Sequence, residues 1–386
     1  MAAFKTVILH IGINKTGSTS IQDALSENAE ALRAEADIQY AGNFANHSVP
    51  LYTMFSERAL SYHANVRRGV TSGERLQALR TELFESYEAV LAEPKAGTLL
   101  LSGEDLSLLS EAAVSRLKAW LSPRASEFRV IAYLRHPRPW SSSEAAQRIK
   151  GGAILAELEA NPPQPWFRRR LEPWLSNFGR GQIAVFDYSS ACRRPGGLVG
   201  HFAERIGAGP ALRTGLAAQP ATNIRLSEEA VLLMSRLNEI RPLFTEGGQM
   251  SPRRHLRERK VMAEVQGAPF SLSRQALDKV EAESRDDLEW VRDTFGVTLE
   301  AEPEPPQPER PIRITEEALE SIAILISDLI LMQKRPPPPS GFRRRIRRIR
   351  RWVNQRLMPR LTLFRPRAEE APRPKTEHRS RPASTA

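Results

Sequence analysis

Residues 7–22 (VILHIGINKTGSTSIQ) pass from a strand pattern through a polar turn into a helical pattern. The apolar run at 7–9 leads into the glycine- and hydroxyl-rich segment 12–19, and the helical pattern begins at Ser20. Such a turn directs backbone N–H groups toward one point at the positive end of the helix dipole, where an anion binds well. The segment therefore predicts a phosphate-binding loop.

The first 300 residues alternate between short apolar runs and longer amphipathic patterns. The short runs predict strands at Thr6–Ile11, Thr98–Leu101, Arg129–Leu134 and Gln182–Phe186. The longer patterns predict helices at Ser20–Ala34, Glu74–Ala92, Glu111–Leu121, Trp140–Lys150, Trp166–Phe178, Gly197–Ile206, Ser227–Ile240 and Ser273–Phe295. Connections of helical length join parallel strands, so the sequence predicts an α/β fold with a parallel β-sheet flanked by helices.

Proline-rich segments divide the chain beyond residue 300. Residues 301–314 predict a proline-rich linker that follows an α/β domain at 1–300. Residues 315–335 predict a short helix, with Thr315 as its N-cap. Residues 336–386 predict a basic amphipathic helix followed by a disordered tail. The predicted organisation is thus one domain with a C-terminal helical and disordered basic extension.

The positive charge of the chain is concentrated in that extension. Residues 341–386 contain 15 Lys and Arg against 3 Asp and Glu, a net charge of +12, whereas the whole chain carries +11. The other 340 residues therefore sum to −1. Residues 341–365 place apolar residues at helical spacing among arginines, which favours an anionic membrane surface as partner. A solvated tail is the alternative, and the lack of a nucleic-acid-binding fold disfavours nucleic acid.

The cysteine content and the hydropathy of the chain indicate the cellular compartment in which the protein is expected. Cys192 is the single cysteine, which excludes an internal disulfide and fits a reducing compartment. The first residues lack the pattern of a signal peptide, and the apolar stretch 321–332 is shorter than the roughly 20 residues of a membrane span. The expected location is the cytoplasm, with peripheral association at the inner face of the membrane through the basic extension.

The residues of the predicted loop suit an anion. Gly12 and Gly17 allow a tight turn, and Lys15 supplies a mobile positive charge. A Walker A loop would place the lysine after the second glycine, whereas Lys15 precedes Gly17 by two residues, so the spacing does not fit an ATPase loop. A plain turn with a solvated lysine is the alternative. The predicted phosphate contacts are Asn14, Lys15, Thr16, Gly17, Ser18, Thr19 and Ser20.

The segment 10–22, of the form H-I-G-x-x-K-T-G-[ST]-[ST]-S-[IL]-Q, resembles the loop of sulfotransferases that use 3′-phosphoadenosine 5′-phosphosulfate (PAPS). It is most similar to bacterial members of the heparan-sulfate and carbohydrate branch. The resemblance extends over roughly residues 5–297. It implies a P-loop-NTPase-like α/β fold, a loop that binds the 5′-phosphosulfate, and sulfuryl transfer that needs no metal.

A second motif follows the predicted strand 129–134. In the family that the chain resembles, an arginine at a strand end and a serine eight residues later bind the 3′-phosphate of the donor. Arg135 and Ser143 have that spacing. Arginine suits the task because its planar fork pairs with phosphate oxygens at two points. Ser141 and Ser142 are alternatives to Ser143.

Sulfuryl transfer requires a base for the acceptor hydroxyl and positive charge at the leaving phosphate. Lys15 supplies the charge. His47 is the first candidate for the base, because histidine titrates near neutrality and similar bacterial sequences carry a histidine in this setting. Glu104, after the predicted strand 98–101, is the second candidate, and its alternative role is structural. Asp105 and His63 come behind these two.

The resemblance implies a PAPS-dependent sulfotransferase that modifies a hydroxyl of a glycan or glycolipid. A non-catalytic membrane-associated protein on a nucleotide-binding scaffold is one alternative, and a kinase or NTPase is another. A scaffold would not need Lys15, Arg135 and Ser143 together, and the position of the lysine disfavours the NTPase. The arginines at 168–170 predict a solvated helix face, with an acidic glycan as the alternative partner.

Overall fold

The computed structural model describes residues 3–41, 44–218, 226–245, 251, 254 and 256–302, together with residues 315, 318, 321, 322 and 329. Almost all of the predicted linker, the helix at 315–335 and the basic segment at 336–386 lie outside the described residues. The domain boundaries predicted there stay predictions.

Five strands form the sheet: β1 Phe4–His10, β2 Ile38–Tyr40, β3 Thr98–Ser102, β4 Ala125–Leu134 and β5 Ile183–Asp187. Their order is β2-β3-β1-β4-β5, and every neighbouring pair is parallel, so the predicted α/β sheet is confirmed. Strand β1 is central, with Val7 opposite Leu99 of β3 and Phe128 of β4. The sequence patterns did not predict β2, whose 3 residues are too few to show a period.

The described part of the chain contains the following α-helices: α1 Ser18–Glu27, α2 Ala29–Ala36, α3 Ser48–Phe55, α4 His63–Arg67, α5 Gly73–Leu91, α6 Glu111–Leu121, α7 Pro137–Lys150, α8 Leu155–Ala160, α9 Phe167–Phe178, α10 Tyr188–Cys192, α11 Gly197–Arg205, α12 Pro210–Ala217, α13 Glu228–Ile240, α14 Leu256–Met262 and α15 Arg274–Phe295. The predicted helix 20–34 is two helices, because the chain breaks at Asn28, whose side-chain amide donates to the Ala24 carbonyl at 2.8 Å.

Helices cover both faces of the sheet. Val7 and Leu9 of β1 belong to one apolar core, together with residues of α5, α6 and α9. Ile8, on the opposite face of the same strand, belongs to a second core with residues of α1 and α11. Each fully buried aliphatic side chain contributes about 1.5–3 kcal/mol to folding. With both faces covered, the carboxyl ends of the strands are the place where this fold can receive a ligand.

A third apolar cluster supports α7. Ala145 and Ile149 of α7 pack with Ala230 and Met234 of α13 and with Leu277 of α15. Helix α7 begins 3 residues after β4 ends, and this cluster packs against its second half. The serines at 141–143 are therefore carried on a helix that is anchored by this cluster.

Candidate active site

The topology brings the predicted site segments to one edge of the sheet. The loop 11–17 follows β1, Glu104 follows β3, and Arg135 follows β4. These three strands are neighbours and run in the same direction, so their carboxyl ends lie side by side. The two motifs, more than 100 residues apart in sequence, therefore meet in the fold.

The loop after β1 is a tight, left-handed turn. Gly12 and Gly17 have φ values of 53° and 72°, and Lys15 between them has φ 68°. A Cβ on Gly12 would lie 2.8 Å from Ser18 Oγ, and a Cβ on Gly17 would overlap the side chain of Leu198. Both positions therefore require glycine. The left-handed conformation of Lys15 costs about 1–2 kcal/mol, which the surrounding contacts must offset.

The inside of the turn is suited to an anion. Ser18 Oγ is buried and has no hydrogen-bond partner among the described residues. No side chain caps the first turn of α1, whose N–H groups face the same turn. A buried hydroxyl without a partner costs about 1–3 kcal/mol, and an anion oxygen would remove that cost. The loop thus fits a phosphate or a sulfate group.

The other hydroxyls of the loop are placed differently. Thr16 is buried, and its Oγ1 donates to the Ile13 carbonyl at 2.5 Å, so it stabilises the turn from within. Thr19 is exposed and Ser20 is half-buried on α1. Of the predicted hydroxyl contacts, Ser18 is therefore the one whose buried oxygen lacks a protein partner in the described structure.

Asn14 is clamped by three side chains. Its backbone carbonyl accepts from Trp140 Nε1 at 2.7 Å. Its side-chain amide donates to Glu144 Oε2 at 2.7 Å, and its amide oxygen accepts from Arg170 Nη1 at 2.9 Å. Asn14 therefore fixes the residue before Lys15, and its side chain is engaged with protein.

Arg170 corrects the prediction of a solvated face at 168–170. Arg168 and Arg169 are exposed, but Arg170 is half-buried, with its guanidinium 5.6 Å from the centre of the Trp140 ring. Burial lowers the pKa of Arg170 to about 10, although the nearby Glu144 carboxylate opposes this shift. Arg170 stays charged at neutral pH and adds a cation beside the loop.

The sequence did contain a signal for Arg170. Phe167, Leu171 and Trp174 are buried and form the apolar stripe of α9. Position 170 falls on the same face, because residues three and four apart are neighbours on a helix. An arginine within an apolar stripe must find polar partners, and here it finds Asn14.

Lys15, Glu104 and Glu144 form a charged group around the turn. Burial lowers the pKa of Lys15, and the carboxylates of Glu144 and Glu104 oppose that shift. Burial, and to a smaller extent the charge of Asp105, raise the pKa of Glu104 to about 7, while the charge of Lys15 opposes the shift. Near neutral pH Glu104 is therefore present in both its protonated and its ionised form, as a general base requires.

Of the two minor base candidates, Asp105 is hydrogen-bonded and His63 is exposed. The Asp105 carboxylate accepts a hydrogen bond from the Tyr62 hydroxyl. The backbone N–H of Asp105 donates to Ser48 Oγ at 3.2 Å. His63 is exposed at the start of α4, with its ring against Tyr62. Neither arrangement points to a base.

His47 is fully buried at the carboxyl ends of β2 and β3. Its Nδ1 accepts from the Ser102 N–H at 3.0 Å, and its Nε2 lies 3.0 Å from the Ala41 carbonyl. The Nε2–H tautomer satisfies both contacts at once. Burial lowers the pKa of His47 to about 4, so the ring is neutral at pH 7. Both nitrogens are engaged with backbone, which does not favour the predicted role of base.

Arg135 is buried and already paired. Its Nε and Nη2 donate to Glu302 Oε1 and Oε2 at 2.7 and 2.6 Å. Its guanidinium lies 5.2 Å from the centre of the Tyr188 ring. A Cβ on Gly17 would lie 3.5 Å from a carbon of that same ring, so Tyr188 neighbours both the loop and Arg135.

The three serines of α7 have different surroundings. Ser143 is half-buried in the second turn of the helix. Ser142 Oγ accepts from the Leu272 N–H at 3.2 Å and so ties α7 to the chain before α15. Ser141 is buried, and its Oγ has no partner within the described ranges. Ser143 and Ser141 thus remain candidates for a ligand, whereas Ser142 has a structural bond.

Comparison with known protein families and with curated proteins finds no match. Among solved structures, a sulfotransferase from Alicyclobacillus acidocaldarius aligns with 60% of this chain and 92% of its own, at 13% identity and a TM-score of 0.30. Within the described ranges, no helix is long and apolar enough to cross a membrane. The same residues include no group of His, Cys, Asp or Glu side chains that could hold a metal ion.

Proposed function

We propose that the protein is a PAPS-dependent sulfotransferase that modifies a hydroxyl group. The observation that supports the proposal is that the turn after β1 and Arg135 after β4 lie at the same edge of the sheet. Gly17 of the turn and the Arg135 guanidinium both lie beside the ring of Tyr188. PAPS carries phosphate at both its 5′ and its 3′ position, which matches this pair of sites.

The residues present fit the donor. The N–H groups of the turn, the Ser18 hydroxyl and Lys15 would hold the 5′-phosphosulfate. Arg135 and Ser143 would hold the 3′-phosphate through a two-point guanidinium contact and a hydroxyl. When bound, the donor would supply the sulfuryl group. Lys15 would then stabilise the negative charge that develops on the leaving phosphate.

We assign the base to Glu104 rather than to His47. Glu104 lies against the turn, since a Cβ on Gly12 would be 3.0 Å from its Cα. Its pKa of about 7 lets the carboxylate take a proton from a hydroxyl at neutral pH. His47 lacks a nitrogen free of backbone contacts in the described structure, and its buried position suits a link between β2 and β3.

Arg170 and Glu144 would act through Asn14 as positioning residues. They hold the two ends of the Asn14 amide, and Trp140 holds its carbonyl. Asn14 directly precedes Lys15, whose left-handed backbone needs support. This clamp would keep the lysine ammonium in a fixed place relative to Glu104.

A glycan or glycolipid is the acceptor that we propose. The basic segment 341–365 would bring the enzyme to anionic lipid at the cytoplasmic face of a membrane, near such an acceptor. That segment lies outside the described residues, and its role is a separate part of the proposal.

Calorimetric titration with 3′-phosphoadenosine 5′-phosphate (PAP), the desulfated donor, tests the proposal. PAP should bind far more tightly than AMP or ATP, because Arg135 pairs with a 3′-phosphate that those nucleotides lack. Arg135→Ala should abolish the preference, at a cost of about 1.5–3 kcal/mol in PAP binding. Equal affinities for PAP and AMP, both with the Arg135–Glu302 ion pair intact and with it removed by Glu302→Gln, would overturn the proposed function.

A further inference from the structure

A carboxylate of this chain occupies the predicted 3′-phosphate contact. Both oxygens of Glu302 accept from the Arg135 guanidinium, and Ser189 Oγ donates to Glu302 Oε1 at 3.1 Å. The side chains of Arg135 and Glu302 are 7% and 18% exposed, so the pair is largely shielded from water. Three donor atoms thus converge on one anionic group.

This arrangement reproduces the way in which a guanidinium binds phosphate. The Nε and Nη2 edge that Glu302 covers is an edge that can pair with two phosphate oxygens at once. A 3′-phosphate cannot use that edge while the carboxylate is bound to it. Phosphate carries more negative charge than the carboxylate, so it can replace Glu302 on the same donors.

Glu302 follows a short stretch of chain that leaves the core. Leu299 is buried in the core beside α15, which anchors the chain that leads to Glu302. Glu300 lies at the surface and pairs with Arg193 and Ser190. Glu302 thus lies three residues beyond a core residue, on a stretch whose preceding contacts are at the surface.

A contribution to folding stability does not by itself explain the Arg135–Glu302 ion pair. A shielded ion pair loses much of its attraction to the cost of removing both charges from water, and its net contribution is often close to zero. If a ligand phosphate replaces Glu302, Arg135 has an anionic partner in both states. The exchange therefore avoids the cost of leaving a buried guanidinium unpaired.

We propose that Glu302 is an intramolecular competitor for the 3′-phosphate, so that the segment 300–302 holds the donor site in an autoinhibited state. This inference rests on the proposed function, since it takes Arg135 to be the 3′-phosphate contact. The apparent affinity for the donor falls by the fraction of molecules in which the site is open. Displacement of the segment raises that fraction.

Calorimetry with PAP and with AMP on full-length Glu302→Gln, Glu302→Asp and unaltered protein tests the inference. Glu302→Gln should bind PAP on the order of tenfold more tightly, as expected if about nine molecules in ten are closed, and should bind AMP as before. Glu302→Asp keeps the charge but shortens the reach, so its gain should be smaller. Glu30→Gln is the matched control, because it removes one carboxylate from an exposed ion pair with Arg33 outside the segment 300–302 and should leave PAP affinity unchanged.

The outcomes separate the inference from the proposed function. A preference for PAP over AMP that is the same in the unaltered protein and in both Glu302 variants overturns the inference alone. Loss of PAP affinity in folded Glu302→Gln, verified by circular dichroism, also overturns it, because Glu302 would then assist binding. The absence of any PAP preference in all variants overturns the proposed function and the inference together.

Discussion

Glu104 packs directly against Gly12, and a Cβ on that glycine would lie 3.0 Å from the Cα of Glu104 and 3.1 Å from its Cβ. The contact joins the end of β3 to the turn after β1. It brings a carboxylate with a raised pKa to the loop that carries Lys15. The space for a ligand therefore depends on a glycine at this position.

Gly12→Ala should destabilise the protein by about 1–3 kcal/mol. Its φ of 53° is unfavourable for alanine, and the new Cβ would press on Ser18 Oγ and on the backbone of Glu104. Urea denaturation measures the loss. Gly215→Ala is the control, because a Cβ there meets nothing within 4 Å and the residue lies in α12, where alanine should be neutral or stabilising. Equal effects of the two substitutions would contradict the role given to Gly12.

Turnover should rise with pH through the pKa of Glu104, with a midpoint near 7. Only the ionised carboxylate accepts a proton, so the rate is low below that value and reaches a plateau above it. Glu104→Gln should lose nearly all turnover and keep PAP affinity. A rate profile that is flat from pH 6 to pH 8 would exclude Glu104 as the base.

The same pKa predicts a change in stability with pH. A carboxyl whose pKa rises from 4.5 to about 7 on folding binds more protons in the folded state between these values. Its contribution to stability is complete below about 4.5 and is lost as the pH rises through about 7. Glu104→Gln should therefore melt at a higher temperature than the unaltered protein at pH 8, and the difference should shrink toward pH 4.5. A difference that is independent of pH would show that Glu104 has an ordinary pKa in the fold.

Local sequence patterns predicted the strands and helices in which apolar residues recur with a clear period. The runs at β1 and β4 are apolar and buried on both sides, and α6 matches its predicted bounds, Glu111–Leu121. The pattern failed at Ile38–Tyr40, which is too short to show a period, and at Asn28, where one side-chain bond breaks a helix.

The site could be predicted only in part, for a similar reason. The order of residues in the loop is local information, so Lys15 and Gly17 are visible in the sequence. The pairing of Arg135 with Glu302 joins residues 167 positions apart, and no local pattern contains it. The preference for His47 followed from the usual pKa of histidine, which burial changes in this fold to about 4.

His47→Ala should act mainly on stability. The substitution leaves the Ser102 N–H and the Ala41 carbonyl without their partner and opens a cavity at the carboxyl ends of β2 and β3, so we expect a loss of about 2–4 kcal/mol. Urea denaturation is the measurement. His63→Ala is the control, since an exposed ring should change stability by less than about 0.5 kcal/mol. A stable His47→Ala protein that binds PAP but has no turnover would return the role of base to His47.

Lys15→Ala should reduce turnover much more than it reduces the affinity for PAP. The lysine is assigned to charge that develops on the leaving phosphate, and such an interaction acts on the transition state more than on the bound ground state. The comparison of kcat with the calorimetric Kd for PAP measures this difference. A variant with normal kcat and a raised KM for the donor would limit Lys15 to ground-state binding.

Arg170→Gln should lower kcat with a smaller effect on the Kd for PAP, because it releases one end of the Asn14 clamp and lets Lys15 move. Charge-assisted hydrogen bonds contribute about 1.5–3 kcal/mol, so we expect a fall of roughly ten- to a hundredfold in kcat. Arg170→Lys keeps the charge and should restore part of the rate, which a purely packing role would not allow. Arg169→Gln, on the exposed side of α9, is the matched control and should leave kcat and Kd unchanged. Equal losses in Arg169→Gln and Arg170→Gln would show that the helix contributes general positive charge rather than a specific contact to Asn14.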